Sequence, residues 1–335
     1  MSEIVDKKVF VEEDTEEDEL TIQNHQYPAD QDFSVPLNSK PIVSFGLITD
    51  IQYAEHDNAF NYLGDKMRYY RNSINLVKEA VKHWREKIDE NKNFKFILQL
   101  GDIIDGKASA DRENALKSVL NELNSDFRTQ IPDFRVYHIW GNHEFYNFKR
   151  SEIVNTELNS AKHMNPTVST SANYYKLDLT NDIEIICLDF YEFSALGFDE
   201  DDDVYKEAMS LLRKHNPNED LNSADGLRGH GKRFTKFNGA LSKQQMTWLA
   251  DQLQILKEKN KKAIIVGHIP VHPQATTTPM CLAWNYRDVL EIFNKYAKTI
   301  LAYLCGHDHD GKLFAEFLFK DFLFILFSLG LRWLL

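Results

Sequence analysis

At 335 residues and 43% hydrophobic composition, the chain can bury a sizeable core as one large domain or two smaller ones. Its net charge of −12 is concentrated: residues 1–35 set Lys7 and Lys8 against eleven carboxylates, a local −9 that leaves −3 for the rest and excludes a basic nucleic-acid footprint. Cys187, Cys281 and Cys305 are too few and too widely spaced for a disulfide framework or a structural zinc ribbon, which favours a reducing compartment.

The acidic run Glu12–Glu19 lacks apolar anchors to offset the entropy of ordering, so residues 1–38 are expected to form a disordered tail. The start of the chain has neither the basic residues nor the apolar stretch of a secretory signal, so the cytoplasm is the expected location. Beyond it, strand-like runs appear at Ile42–Ile48, Phe94–Leu100, Phe134–Trp140, Lys262–Val266 and Thr299–Cys305. Helices are expected between them. Lys66–Lys87 places Met67, Tyr70, Ile74, Val77 and Val81 at helical spacing, and Ala108–Leu123 follows the second strand. Tyr174–Tyr191 reads as a hairpin turning at Thr180-Asn181-Asp182. Ser194–Gly239 is a polar excursion with a helix at Tyr205–Lys214, suited to a substrate wall. Ser242 caps a helix through Trp248, Leu249, Leu253 and Leu256, and Asn285–Tyr296 gives another. The alternation predicts an α/β fold with a largely parallel inner sheet.

From Leu313 to Leu335 the composition turns to Phe and Leu, with only Glu316, Lys320, Asp321 and Arg332 charged. The uncharged core Phe322–Leu331 falls short of the about 20 apolar residues of a membrane span. The division expected is a tail at 1–38, a catalytic domain at 39–312 and an atypical hydrophobic segment at 313–335.

Each strand-like run ends in a polar block: Asp50-Ile51-Gln52, Gly101-Asp102-Ile103-Ile104-Asp105, Gly141-Asn142-His143-Glu144, Gly267-His268-Ile269-Pro270 and Gly306-His307-Asp308-His309. Such blocks collect outside the carboxyl ends of the strands, where open α/β sheets bind ligands. Carboxylates, an amide and imidazoles without thiolate suit Mn²⁺, Fe²⁺ or Zn²⁺ better than Mg²⁺. Two divalent ions about 3.5 to 4 Å apart need a shared carboxylate, and Asp102 is the natural bridge. Any one block is weak; five in order are strong.

Together the blocks resemble the calcineurin-like metallophosphoesterase superfamily over Ile42–Gly311. The resemblance implies a four-layer αββα sandwich whose last strands are here truncated or replaced. It also implies that Asp50, Gln52, Asp102 and His309 hold one ion, and Asp102, Asn142, His268 and His307 the other. Gln52 stands where a histidine is usual, and with Arg68-Tyr69-Tyr70-Arg71 and Cys281-Leu282-Ala283-Trp284-Asn285-Tyr286 it is similar to the manganese-dependent ADP-ribose/CDP-alcohol diphosphatases. Asp105 stands where purple acid phosphatases would need a tyrosine. Asp105-Gly106-Lys107 is not the Asp-Arg-Gly of serine/threonine phosphatases.

The activity implied by this resemblance is hydrolysis of a nucleoside diphosphate conjugate by water activated between two cations, Mn²⁺ first, with Fe²⁺, Zn²⁺ or Mg²⁺ as alternatives. His143 is expected to assist the leaving group, oriented by Asp105. Tyr62, Arg68, Arg71 and Cys281 are the candidate substrate contacts, with Phe60 and His272 behind them. The partner is a small molecule, with neither nucleic acid nor membrane, and the expected state is monomeric. A cyclic-nucleotide phosphodiesterase, a general phosphomonoesterase and, given the C-terminus, a non-catalytic binding module remain alternative readings of the same blocks.

Overall fold

The computed structural model describes residues 42–62, 64–90, 93–124, 127, 131, 133–164, 171–319 and 322–328. The acidic tail expected at 1–38 lies outside the described residues, as does the end of the hydrophobic segment. In chain order come β1 (Ser44–Ile48), a two-strand hairpin of β2 (Ala59–Phe60) and β3 (Met67–Arg68), α1 (Ser73–Glu90), β4 (Phe94–Gln99), α2 (Arg112–Asn124), β5 (Val136–His138) and α3 (Asn142–Asn147). The second half supplies β6 (Tyr175–Asp178), β7 (Ile183–Cys187), α4 (Asp203–His215), α5 (Lys243–Glu258), β8 (Lys262–Val266), α6 (Tyr286–Lys295), β9 (Ile300–Cys305), β10 (Lys312–Phe319) and β11 (Phe322–Ser328).

One sheet is all-parallel in the order β1-β4-β5, because α1 and α2 carry the chain back between successive strands. The other runs β10-β11-β9-β8-β7-β6, with antiparallel strands only at its edges. Side chains alternate across each strand. On β4, Phe96 and Leu98, followed by Leu100, meet Tyr175, Leu177, Ile185, Cys187, Val266 and Leu304 between the sheets. The alternate residue, Ile97, joins Val77, Val81 and Trp84 of α1 on the outer face. Leu249, Leu253 and Leu256 of α5 likewise join Ala263 and Ile265 of β8, giving helix, sheet, sheet, helix. Truncating Leu98, fully buried in the middle layer, is expected to cost about 2–5 kcal/mol.

The Tyr174–Tyr191 hairpin is antiparallel β6–β7, and Ser242 caps α5 by accepting from the Gln245 N–H. The helix expected from Lys66 starts instead at Ser73. Met67 and Arg68 pair antiparallel with Ala59 and Phe60, and Met67 is 37% exposed rather than on a buried stripe. Its helical spacing from Tyr70 and Ile74 is carried across a strand and a 3₁₀ turn. The excursion packs its own small core, Val204, Ala208 and Leu212 of α4 against Phe193, Leu221, Phe234 and Trp284. After Gly311 the chain, expected to be truncated or replaced, carries the strands β10 and β11. β11 runs parallel to β9. Among the described residues, no helix is long and apolar enough to cross a membrane.

Candidate metal centre

The blocks after β1, β4 and β5 come from one sheet and those after β8 and β9 from the other, so the two layers converge on one edge. Backbone pairing outlasts the strands there. Asp50 N–H donates to the Gly101 carbonyl at 3.1 Å, Gln52 N–H to that of Asp102 at 2.9 Å, and Gly306 N–H to that of His268 at 3.0 Å. Asp50, Gln52, Asp102 and His307 have φ of 51°, 45°, 58° and 69°, four of the six left-handed non-glycine residues among those described. Each such backbone costs on the order of 1–3 kcal/mol and persists where its surroundings over-determine it, as at functional sites. Gly141 is required by crowding: a Cβ there would sit 2.2 Å from Asp102 Oδ1 and 2.8 Å from His268 Nε2.

Two groups of side chains have the spacing to hold a cation: Asp102, His268 and His307, all buried, and Asp50, Asp102 and His309. Asp102 belongs to both. His268 donates from Nδ1 to the Leu100 carbonyl at 2.8 Å, which turns Nε2 toward the Asp102 carboxylate. That Nε2 is buried without a hydrogen-bond partner, 3.4 Å from Asp102 Oδ2. A buried imidazole nitrogen without a partner beside a carboxylate, among oxygen and nitrogen donors, fits a divalent transition metal, which would displace the ring proton and take that lone pair. His307 donates from Nε2 to Asn238 Oδ1 at 2.7 Å, freeing Nδ1. Asn142 opens α3, and its Oδ1 accepts from the Tyr191 hydroxyl at 3.3 Å.

The electrostatics favour positive charge. Burial pushes the Asp102 carboxyl up, but His268, His143 and His307 hold it well below the usual carboxylate range. Burial likewise opposes ionisation of Asp50, and His309 and His268 outweigh it. Burial drives His268 down, yet Asp102 and Asp50 lift it to about 9. His307, desolvated and facing His268, is pushed down to about 3.

The outer half of the site is less buried. Gln52 Nε2 donates to Asp102 Oδ2 at 3.0 Å and lies 3.0 Å from His309 Nε2. Its Oε1 accepts from Arg68 at 2.9 Å, so the amide turns its nitrogen toward the carboxylates. His143 N–H donates to Asp102 Oδ1 at 2.8 Å. Its ring Nδ1 accepts from Gly106 N–H at 3.1 Å and lies 3.3 Å from Asp105 Oδ2, while Nε2 is 3.9 Å from Asp102 Oδ2. With Nδ1 accepting, the neutral ring carries its proton on Nε2; when charged, Nδ1–H has Asp105 to meet.

A cleft of about 290 Å³ opens beside Asp50, Gln52, His307 and His309, walled by Arg68 and Cys281 with Tyr69, Tyr70, Thr277 and Thr278. Tyr62 and Arg71 are not in its wall. Tyr62 is 67% exposed and its hydroxyl donates to Asp220 at 2.6 Å, while Arg71 pairs with Glu55 and Asp57 at the surface. His272 accepts from Gln274 N–H as a loop cap, pushed down to about 4 by burial.

Three supporting residues escape a reading of ligand motifs. Glu144 accepts from the N–H groups of Asp102, Ile103 and Gly141, tying two blocks together; burial and Asp102 push it up to about 7 against those donors. Asp308 accepts from the Thr276 and Thr277 hydroxyls at 2.7 and 2.8 Å and fixes that wall of the cleft. Glu144 and Asp308 lie inside recognised blocks, which is a signal of sorts. Asn238 lies in the excursion and has none.

The profile of the calcineurin-like phosphoesterase family matches residues 43–311. A bovine protein named manganese-dependent ADP-ribose/CDP-alcohol diphosphatase is 38% identical over 82% of this chain and 80% of its own. The human protein of that name is 37% identical over 82% and 79%, and the rice protein 39% over 81% and 79%. The crystal structure of a dimetal phosphatase from Danio rerio superposes with a TM-score of 0.77 at 35% identity, covering 87% of this chain and 88% of that one. The chain belongs to the calcineurin-like phosphoesterase family.

Proposed function

We infer that the protein hydrolyses the diphosphate bond of ADP-ribose, CDP-alcohols of the choline or glycerol type, or related nucleoside diphosphate conjugates, with two divalent cations, Mn²⁺ first among them. The observation that carries this reading is the pair of ligand groups sharing Asp102, in a chain 37–39% identical to enzymes named for that reaction. Asp50, Gln52, Asp102 and His309 take the outer ion, and Asp102, Asn142, His268 and His307 the inner one. Cations there supply activation of water and neutralise the diphosphate oxygens.

The chain's own groups do the rest. A water oxygen, giving up a proton to solvent, bonds to one phosphorus as the bridging P–O bond breaks in line. His143, its Nδ1 held by Gly106 and beside Asp105, offers the Nε2 proton to the departing phosphate monoester. Arg68 and Cys281 border the conjugate in the cleft. The exposed Tyr69 in the cleft wall offers a ring face to the conjugate. Three free cysteines, two of them buried, accord with a reducing cytoplasm, and the reading includes a monomer that engages neither membrane nor nucleic acid.

Turnover on ADP-ribose, CDP-choline, a cyclic nucleotide and a phosphomonoester, with Mn²⁺, Mg²⁺ or chelator, tests the reading. Expected is Mn²⁺-dependent release of a nucleoside monophosphate from the first two; faster turnover of the cyclic nucleotide or monoester overturns the substrate class. Binding of the conjugate without turnover in Mn²⁺ would leave a binding module instead.

A further inference from the structure

Arg68 stands on β3 in the cleft wall, and its guanidinium is committed to two of the three residues assigned to the outer ion alone: Nη1 donates to Gln52 Oε1 at 2.9 Å and Nη2 to His309 Nδ1. A guanidinium can only donate, so each bond fixes the polarity of its acceptor. With its Nδ1 lone pair taken, the neutral His309 ring carries its proton on Nε2, 3.1 Å from Asp50 Oδ1. With its Oε1 taken, Gln52 turns its –NH₂ to Asp102 Oδ2 at 3.0 Å, and that nitrogen meets the protonated His309 Nε2 at 3.0 Å, donor against donor, so the arrangement satisfies the carboxylates at the expense of that contact. Both groups show hydrogen toward the carboxylates.

Ligation needs the reverse at each. His309 must hold its proton on Nδ1 to offer the Nε2 lone pair, and the Gln52 amide must turn over to offer Oε1. Each reversed group then points an N–H at Arg68, donor against donor. The charge of the guanidinium opposes a nearby dication in the same direction.

We propose that Arg68 is an internal competitor of the outer cation: it satisfies Gln52 and His309 as a substitute positive charge and leaves them for the cleft when the ion binds. The inference rests on the dinuclear reading and deepens it, since it makes the outer ion the weakly held one and couples its arrival to a guanidinium freed beside the diphosphate. The outer affinity is lowered by the fraction of molecules in which Arg68 has let go.

Mn²⁺ titration of the full chain without substrate, followed by the loss of the free-ion paramagnetic resonance signal, tests this apart from turnover. The wild type is expected to show a tight and a weak class. Arg68→Ala should tighten the weak class about tenfold, the tax removed if the competent arrangement is about a tenth of the population, and leave the tight class unchanged. Arg68→Lys, with one ammonium in place of the fork, should fall between, and it carries the same sign should the alanine variant fail to fold. A weak class that is unchanged or loosened in these variants overturns the proposal, loosening being the mark of a prop. A wild type that takes up a single ion overturns the dinuclear reading with it.

Discussion

His138 and His268 are both buried at or just beyond the carboxyl end of a parallel strand, yet they sit at opposite ends of the imidazole range. Burial alone pushes His138 down to about 3, and its Nδ1 meets only the neutral amide of Gln99, at 3.2 Å. Burial acts on His268 too, but Asp102 and Asp50 lift it to about 9. Gln99 and Asp102 are three residues apart, the last of β4 and a residue of the turn after it. Desolvation is thus common to both pockets, and the carboxylate makes one of them a place for positive charge.

Asp102→Asn breaks the comparison most directly by giving His268 an amide like that of His138. Both ligand groups lose their shared member, and two-metal stabilisation worth several kcal/mol, each ~1.4 kcal/mol being tenfold in rate, implies a fall in kcat on ADP-ribose of about a thousandfold or more. Metal content by atomic emission should fall alongside; retention of two tight ions would show that the carboxylate is not the bridge. His143→Ala comes next. It removes a ring beside the same carboxylate while its backbone N–H to Asp102 remains, so both metals should stay and kcat should drop about 10²–10⁴-fold. A near-wild-type rate would remove His143 from the proton transfer.

The polar blocks that gather at one edge were legible in the sequence because such chemistry needs short runs at strand ends, and because residues such as Gly141 are forced by atoms a Cβ would strike. The two-layer sandwich was legible through alternation like that of Phe96, Ile97 and Leu98. The hairpin was not. Met67 keeps a helical interval to Tyr70 and Ile74, so a periodicity argument runs α1 back over β3 and hides Arg68 among surface helix arginines. Tyr62 and Arg71 were drawn into the substrate list by proximity in sequence, whereas hydrogen bonds to Asp220, Glu55 and Asp57 engage them outside the cleft wall. The Phe- and Leu-rich segment gave no period that tells a strand from a buried helix, yet its backbone extends the sheet beside β9.

Asn238→Ala sharpens the comparison within the site itself. His307, like His138, is buried, pushed down to about 3 and bonded to an amide oxygen, here Asn238 Oδ1. That bond keeps the His307 proton on Nε2 and the Nδ1 lone pair free. Partners of this kind change metal affinity by about 10–100-fold. The tight Mn²⁺ class should weaken to that extent while the outer class moves less. Equal weakening of both classes would mean that Asn238 supports the loop rather than the imidazole.

The smallest effect on metal binding and turnover is expected at His138, where the change lies in stability instead. The unfolded chain takes up this proton near pH 6.5, a usual value of about that size for histidine, whereas the folded pocket keeps the ring neutral down to about 3. Between those values the unfolded state binds more protons, so the contribution of His138 is fully present above about pH 6.5 and is lost as pH falls toward 3. His138→Gln, which retains a polar partner for Gln99 and cannot titrate, should flatten that acid limb in urea titrations between pH 4 and 7, with kcat in Mn²⁺ little changed. The His268 pocket cannot show this behaviour, because there the carboxylates favour the charged ring. An acid limb of unchanged slope in the variant would mean that His138 does not remain neutral when buried, and the contrast between the two pockets would lose its electrostatic basis.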